Sequence, residues 1–270
     1  MEYVEKFEAL KNILLNYDRL VVAFSGGVDS TFLLKVSSMV LGNNVVAVTV
    51  SGQIHPRWEI EESKALAKEI GVKQEIIDID VLNDEMIASN PPDRCYYCKV
   101  KVFSLIKEMA KKYHIYTVAD GSNADDITDY RPGIKALKEL GIISPLKDAR
   151  LTKLEIRMLS KELGLSTWDK PPLACLATRV PYGEKLTQEI LSKIDRGERI
   201  LMDLGFRQVR LRHFGNLAKI EVLSEDMEKL LKYREDIVKY LKEIGYSYIT
   251  MDLEGYKTGS MNIGVKKGLL

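Results

Sequence analysis

The stretch "LVVAFSGGVDST", Leu20–Thr31, runs from a continuous apolar segment through a glycine pair into the start of a helical pattern. An unbroken apolar run, without the alternation of a half-exposed strand, is what a strand covered on both faces requires. Ser25, Gly26 and Gly27 form the turn, and Asp29, Ser30 and Thr31 open the following helix. Glycine lets a backbone approach a ligand closely. The unpaired N–H groups and positive end of a helix then favour a phosphate. The loop has no lysine and lacks the G-x-x-x-x-G-K-[ST] spacing, so it is not a Walker loop. It is not G-x-G-x-x-G either, which argues against a dinucleotide. A plain strand-to-helix turn capped by Ser and Asp would use the same residue types.

Working outward, three more apolar segments follow: "VVAVTV" (Val45–Val50), "EIIDI" (Glu75–Ile79) and "IYTVA" (Ile115–Ala119). Helical periodicity fills the intervals at Thr31–Leu41, Arg57–Ile70 and Cys98–Tyr113, and an amphipathic helix carrying Phe7, Leu10, Ile13 and Leu14 precedes the first strand. This alternation predicts βαβ units and an α/β fold with a doubly wound parallel sheet. From Thr187 the pattern changes to helix, strand ("RQVRLRHF"), strand ("LAKIEVL"), helix (Ser224–Ile244) and strand ("YSYITMDL"). The reading is therefore a domain over 1–180 and a smaller C-terminal α+β domain over 181–270, assigned to substrate binding or oligomerisation, with the boundary near Pro181–Lys185.

The 270 residues carry 40 Lys plus Arg against 39 Asp plus Glu, which gives no electrostatic argument for a nucleic-acid partner. The charged opening segment reads as neither a signal peptide nor a membrane span. The chain is expected in the cytoplasm, with no membrane partner, as a homo-oligomer. Three cysteines cannot all pair: Cys95 and Cys98 form a C-x-x-C in "PPDRCYYCK", and Cys175 lies in "PPLACLATR". In a reducing compartment such a pair points to metal or redox chemistry. Zinc with water as a fourth ligand, a redox dithiol and plain partly buried thiols all remain open from spacing alone. Arg94 and Lys99 flank the pair, where cations would favour thiolates.

The full string S-G-G-V-D-S after an apolar strand resembles the PP-loop of the HUP-like ATP pyrophosphatases. The resemblance implies cleavage of ATP between the α and β phosphates. Ser25, Gly26, Gly27, Val28, Asp29 and Ser30 would cradle the phosphates, with Asp29 acting in catalysis by helping to hold Mg²⁺, a hard cation suited to oxygen ligands. "DGSNADD" (Asp120–Asp126) follows the fourth strand at the carboxyl edge, which places Gly121 and Asn123 among the nucleotide-binding residues. Together with "DYRPG" (Asp129–Gly133), "PPLACLATRVPYG" and "DLEGYKTGSMN" (Asp252–Asn262), these strings resemble the LarE family of ATP-dependent sulfur transferases over nearly the whole chain.

That resemblance implies a reaction: adenylation of a carboxylate of a pyridinium dicarboxylate mononucleotide, then displacement of AMP by sulfur, in the synthesis of a nickel-pincer nucleotide. Arg179, Arg210 and Arg212 would bind substrate phosphate or carboxylate, and Arg210 and Arg212, two apart on a strand, would share a face. In one branch of the family a cysteine in the "CLA" string, here Cys175, gives up its own sulfur. In a second branch, which carries the C-x-x-C as well, three thiolates hold a 4Fe–4S cluster. The chain resembles the second branch, with Cys95, Cys98 and Cys175 as ligands, an open iron to carry sulfide, and sulfide or another sulfur donor as partner. A tRNA thiolase is the nearest rival. An amidotransferase-type synthetase and an ATP-binding iron–sulfur sensor stand further off.

Overall fold

The structure is a computed structural model describing residues 2–128, 132–172 and 174–262. Of the "DYRPG" string, Asp129, Tyr130 and Arg131 lie outside the described residues. In chain order the elements are α1 (Glu2–Leu14), β1 (Leu20–Ala23), α2 (Val28–Leu41), β2 (Val45–Ser51), α3 (Arg57–Ile70), β3 (Lys73–Asp78), α4 (Glu85–Ala88), α5 (Arg94–Lys112) and β4 (Val118–Ala119). Then come α6 (Pro132–Glu139), α7 (Pro145–Asp148), α8 (Lys153–Glu162), α9 (Gln188–Asp203), β5 (Val209–Phe214), β6 (Leu217–Val222), α10 (Met227–Lys232), α11 (Arg234–Glu243) and β7 (Tyr248–Met251).

The chain divides into two compact units. The first comprises 1–52, 57–79 and 95–173; the second comprises 53–56, 80–94 and 174–270. This partition differs from a single cut at residue 181, and hydrogen bonds supply the reason. Leu176 donates to the Ile54 carbonyl (2.8 Å), Leu186 to Ala88 (2.7 Å) and Gly183 to Asn90 (2.9 Å). The Asn90 amide donates to the Pro181 carbonyl at 2.8 Å. Two short excursions from the N-terminal half are thereby stitched to the segment that carries Cys175.

In the first unit a parallel sheet has the order β3-β2-β1-β4. Successive strand residues point to opposite faces. Leu20, Val22, Phe24, Val45 and Ala47 pack with α1, α2 and α8, whereas Val21, Val46, Val48 and Val50 pack with Phe103, Ile106 and Ala110 of α5. Two cores flanking one parallel sheet are the doubly wound arrangement. Strand β4 pairs with β1 through only two residues and is shorter than the apolar segment from Ile115 suggested; Tyr116 is 79% exposed, so the segment enters the sheet only at Val118.

The second unit holds a mixed sheet of order β5-β6-β7, antiparallel then parallel. Its core gathers Leu201, Phe206, Leu211, Ile220, Ile237 and Leu241. The helix expected over Ser224–Ile244 is broken at Tyr233, after which Glu235 and Asp236 start α11 as acidic residues suit a helix N-terminus.

Candidate active site

The glycine loop owes its shape to small side chains. Gly26 has φ +71, a left-handed conformation that strains any side chain, and an added Cβ there would meet the Ser63 Cβ at 3.3 Å. The Ser25 and Ser30 hydroxyls lie 3.0 Å apart, Ser30 Oγ donates to the Gly27 carbonyl, and the Gly27 N–H reaches Ser25 Oγ at 3.4 Å. Gly27 caps α2 without any side-chain hydrogen bond. The first N–H groups of the helix thus face a loop of hydroxyls and backbone, a geometry that suits phosphate oxygens.

Below the loop, Thr49 Oγ1 donates to the Phe24 carbonyl (2.6 Å), and Gln74 Nε2 donates to both Thr49 Oγ1 (2.7 Å) and Ser63 Oγ (2.9 Å). This chain of hydrogen bonds joins the residue after β1 to β2, β3 and α3. Gly121 closes the loop from the other side: a Cβ would lie 3.1 Å from the Ser30 nitrogen and 3.3 Å from its Cα. Backbone cannot yield as a side-chain tip can, so Gly121→Ala is expected to push α2 from the loop and weaken ATP binding about tenfold. Calorimetry with ATP checks this; unchanged affinity would contradict the close approach.

Asp29 sits in the first turn of α2. Its Oδ1 accepts from Asn123 Nδ2 at 3.3 Å, and its Oδ2 pairs with Lys153 Nζ at 2.5 Å. The loop has no lysine of its own, yet the fold brings two. Lys153 is the first residue of α8, and Lys170 donates to the Gly26 carbonyl at 2.9 Å and to Glu62 at 2.8 Å. Arg157 holds the Lys170 segment by donating to the carbonyls of Trp168 and Lys170. Neither lysine was found from the sequence. The T-K-L-E string was the available signal: Thr152 and Glu155 form a capping box that starts α8 and places Lys153.

The loop thus joins a buried parallel strand to a helix that carries a carboxylate in its first turn. A family model described as NAD synthase matches residues 4–94. The pyridinium-3,5-bisthiocarboxylic acid mononucleotide synthase of Lactiplantibacillus plantarum is 36% identical over 258 residues, 95% of this chain and 94% of that protein. The chain belongs to the LarE family of PP-loop sulfur transferases. It is an ATP-utilising, sulfur-transferring enzyme. Uncharacterised proteins of Synechocystis and Methanocaldococcus jannaschii are 41% and 30% identical, covering 95% and 96% of this chain and 97% and 100% of theirs.

In this LarE-family chain the second unit carries the arginines. Arg179, fully buried, forms a fork with Glu198: Nε to Oε1 at 2.9 Å and Nη2 to Oε2 at 2.8 Å. Arg212 Nη2 pairs with Glu221 at 2.6 Å and reaches Ser260 Oγ at 2.9 Å, while its Nη1 donates to the Thr178 carbonyl. Arg210 stacks over the Tyr256 ring at 5.3 Å, and burial, then the Arg179 charge, holds its pKa below the ordinary arginine value. Three buried guanidinium groups gather here with two buried carboxylates, Glu198 and Glu221. Arg212 Nε is buried with no hydrogen-bond partner. An orphaned donor on a charged group suits an anionic ligand.

The cysteines fall in both units. Cys95 and Cys98 lie one turn apart at the start of α5, in the first unit, and Cys175 immediately precedes the turn Leu176–Arg179, in the second; all three are half-buried thiols. Among the described residues no three His, Cys, Asp or Glu side chains are gathered as a metal site. Arg94, which precedes the pair, is buried and directs its guanidinium to Asn90 and to the Ala177 carbonyl. His55, next to the Ile54 carbonyl that receives Leu176 N–H, has its pKa pushed down to about 4 by burial. Among the described residues no helix is long and apolar enough to cross a membrane.

Proposed function

We propose that this enzyme adenylates a carboxylate of a pyridinium dicarboxylate mononucleotide and replaces AMP with sulfur to give a thiocarboxylate. A carboxylate is a poor electrophile until it carries a good leaving group. In the first step a substrate carboxylate oxygen attacks the α-phosphorus, the bond to the β-phosphate oxygen breaks, and pyrophosphate leaves. In the second a sulfur nucleophile attacks the acyl carbon, and the bond to AMP breaks. The loop Ser25–Ser30 binds the departing pyrophosphate through backbone N–H groups and hydroxyls, with Asp120–Asn123 packed against it. Lys170, through the Gly26 carbonyl, keeps the turn in shape.

Mg²⁺ fits the donor set here. Asp29 offers a carboxylate in the first helical turn after the loop, and Mg²⁺ is commonly held by one or two carboxylates plus substrate phosphates. When bound, it would neutralise charge on the phosphates. The iron–sulfur reading rests on donor chemistry: three thiols, two of them one turn apart on a helix. Cys95, Cys98 and Cys175 would hold a 4Fe–4S cluster, which would supply sulfide at an iron without a protein ligand. Consumption of Cys175 itself stands as the second reading, favoured by the position of that thiol beside the arginine-bearing turn Leu176–Arg179.

The observation carrying the acceptor assignment is the buried, orphaned Nε–H of Arg212 in the Arg179–Arg210–Arg212 cluster. Arg212→Ala is expected to weaken acceptor binding by about 2 to 3 kcal/mol, as loss of a charged hydrogen-bond donor does, with ATP binding nearly unchanged. Calorimetry with each ligand tests this, and an equal loss for both would contradict the division of labour. An acceptor affinity equal to wild type would remove the cluster from the substrate site.

A further inference from the structure

Both oxygens of Asp29 are committed, Oδ1 to Asn123 and Oδ2 to the Lys153 ammonium at 2.5 Å. The ammonium therefore sits where a cation on Asp29 would sit. From this juxtaposition we propose that Lys153 is an exchangeable counter-ion: it neutralises Asp29 in the nucleotide-free loop and passes to the triphosphate when Mg²⁺ arrives with ATP. The inference rests on the adenylation reading above and adds an order of events to it.

The backbone of Lys153 is anchored by the segment around it, and its head group is held by Asp29. Its N–H donates to Asp125 Oδ2 at 2.8 Å, and the adjacent Leu151 carbonyl accepts from Ala124 N–H at 2.9 Å. The capping box of Thr152 and Glu155 fixes the first turn of α8, and Lys6 braces Glu155 at 2.8 Å. The Lys153 side chain, an ammonium on a flexible four-carbon stem, is 31% exposed, and that of Asp29 is 22% exposed. A fixed base with a partly exposed charged tip on a flexible stem is what an exchange needs. Lys170 does not share this property, since it is 10% exposed and held by Glu62 and the Gly26 carbonyl. It is the structural cation of the loop, and Lys153 the movable one.

The exchange makes metal alone a poor ligand, because it would have to displace Lys153 and leave an ammonium without its carboxylate. With ATP present the phosphates receive the ammonium. Asp29 and Lys153 each face an opposite charge in both states: each other before, and metal and phosphate respectively after.

The test is a Mn²⁺ titration followed by electron paramagnetic resonance on the full chain without nucleotide, paired with calorimetry of ATP binding in EDTA. Lys153→Met is expected to bind Mn²⁺ about fivefold more tightly and to bind metal-free ATP more weakly. Lys153→Arg, which keeps the charge, should follow wild type in the metal titration, and Asp29→Asn should lose the Mn²⁺ signal. Damage to the fold would lower metal affinity, so a rise on removing a side chain cannot come from misfolding. Unchanged or weaker Mn²⁺ binding in Lys153→Met, with ATP binding intact in wild type, overturns the exchange alone. Failure of the wild-type chain to bind ATP overturns the adenylation reading and the phosphate half of the exchange with it.

Discussion

Asp29→Asn is expected to lower ATP-dependent pyrophosphate release by about a thousandfold, the scale seen when one preorganised electrostatic contact is removed from a reacting centre. The amide keeps the shape of the side chain and can still meet Asn123 after rotation. It cannot serve as an anionic ligand to Mg²⁺, and it no longer pairs with Lys153. The lost ion pair is partly exposed, and such pairs contribute about 1 kcal/mol or less. The variant should therefore melt within a few degrees of wild type, and its inactivity would not reflect unfolding. Ser25→Ala removes the hydroxyl that meets Ser30 and the Gly27 N–H, and the same assay should show a loss in the same direction. Wild-type rates in both variants would remove the loop from the chemistry.

The second large effect concerns sulfur. Cys175→Ala is expected to abolish thiocarboxylate formation while acceptor-dependent pyrophosphate release continues, because adenylation needs only the loop and the acceptor. Cys95→Ala and Cys98→Ala decide between the two sulfur routes. If a cluster delivers sulfide, each variant loses its iron and every turnover beyond background, measured anaerobically by iron and sulfide analysis with product counting. If Cys175 gives up its own sulfur, both variants retain one turnover. The protein then becomes lighter at Cys175 by about 34 Da, the mass of H₂S lost in forming dehydroalanine. Multiple turnovers in Cys95→Ala and Cys98→Ala with Cys175 intact would end the cluster reading.

The loop and its strand were legible because their signal is local. Continuous apolar residues at Leu20–Phe24 mark a strand covered on both faces, and the glycine pair marks the turn, both within one short window. Helix α3 was legible to its ends for the same reason: its buried residues Ser63, Leu66 and Ala67 follow a single helical face. Lys153 and Lys170 were not legible. Their partners Asp29 and Gly26 lie 124 and 144 positions away, and no periodicity records which distant lysine a fold will deliver. The arginine pair shows an intermediate case. Spacing placed Arg210 and Arg212 on one face of β5. It could not show that Glu198 and Glu221 come to meet this group, because α9 and β6 supply them. The excursions at 53–56 and 80–94 that join the second unit were hidden for the reason the lysines were: backbone hydrogen bonds over long separations leave no mark in composition.

The most direct measurement is product mass together with nucleotide stoichiometry, made anaerobically with ATP, Mg²⁺, sulfide and pyridinium-3,5-dicarboxylate mononucleotide. The account predicts one AMP and one pyrophosphate per sulfur inserted, and an acceptor heavier by about 16 Da for each carboxylate oxygen replaced. ADP and orthophosphate in place of AMP and pyrophosphate, or an acceptor of unchanged mass beside consumed ATP, would contradict it.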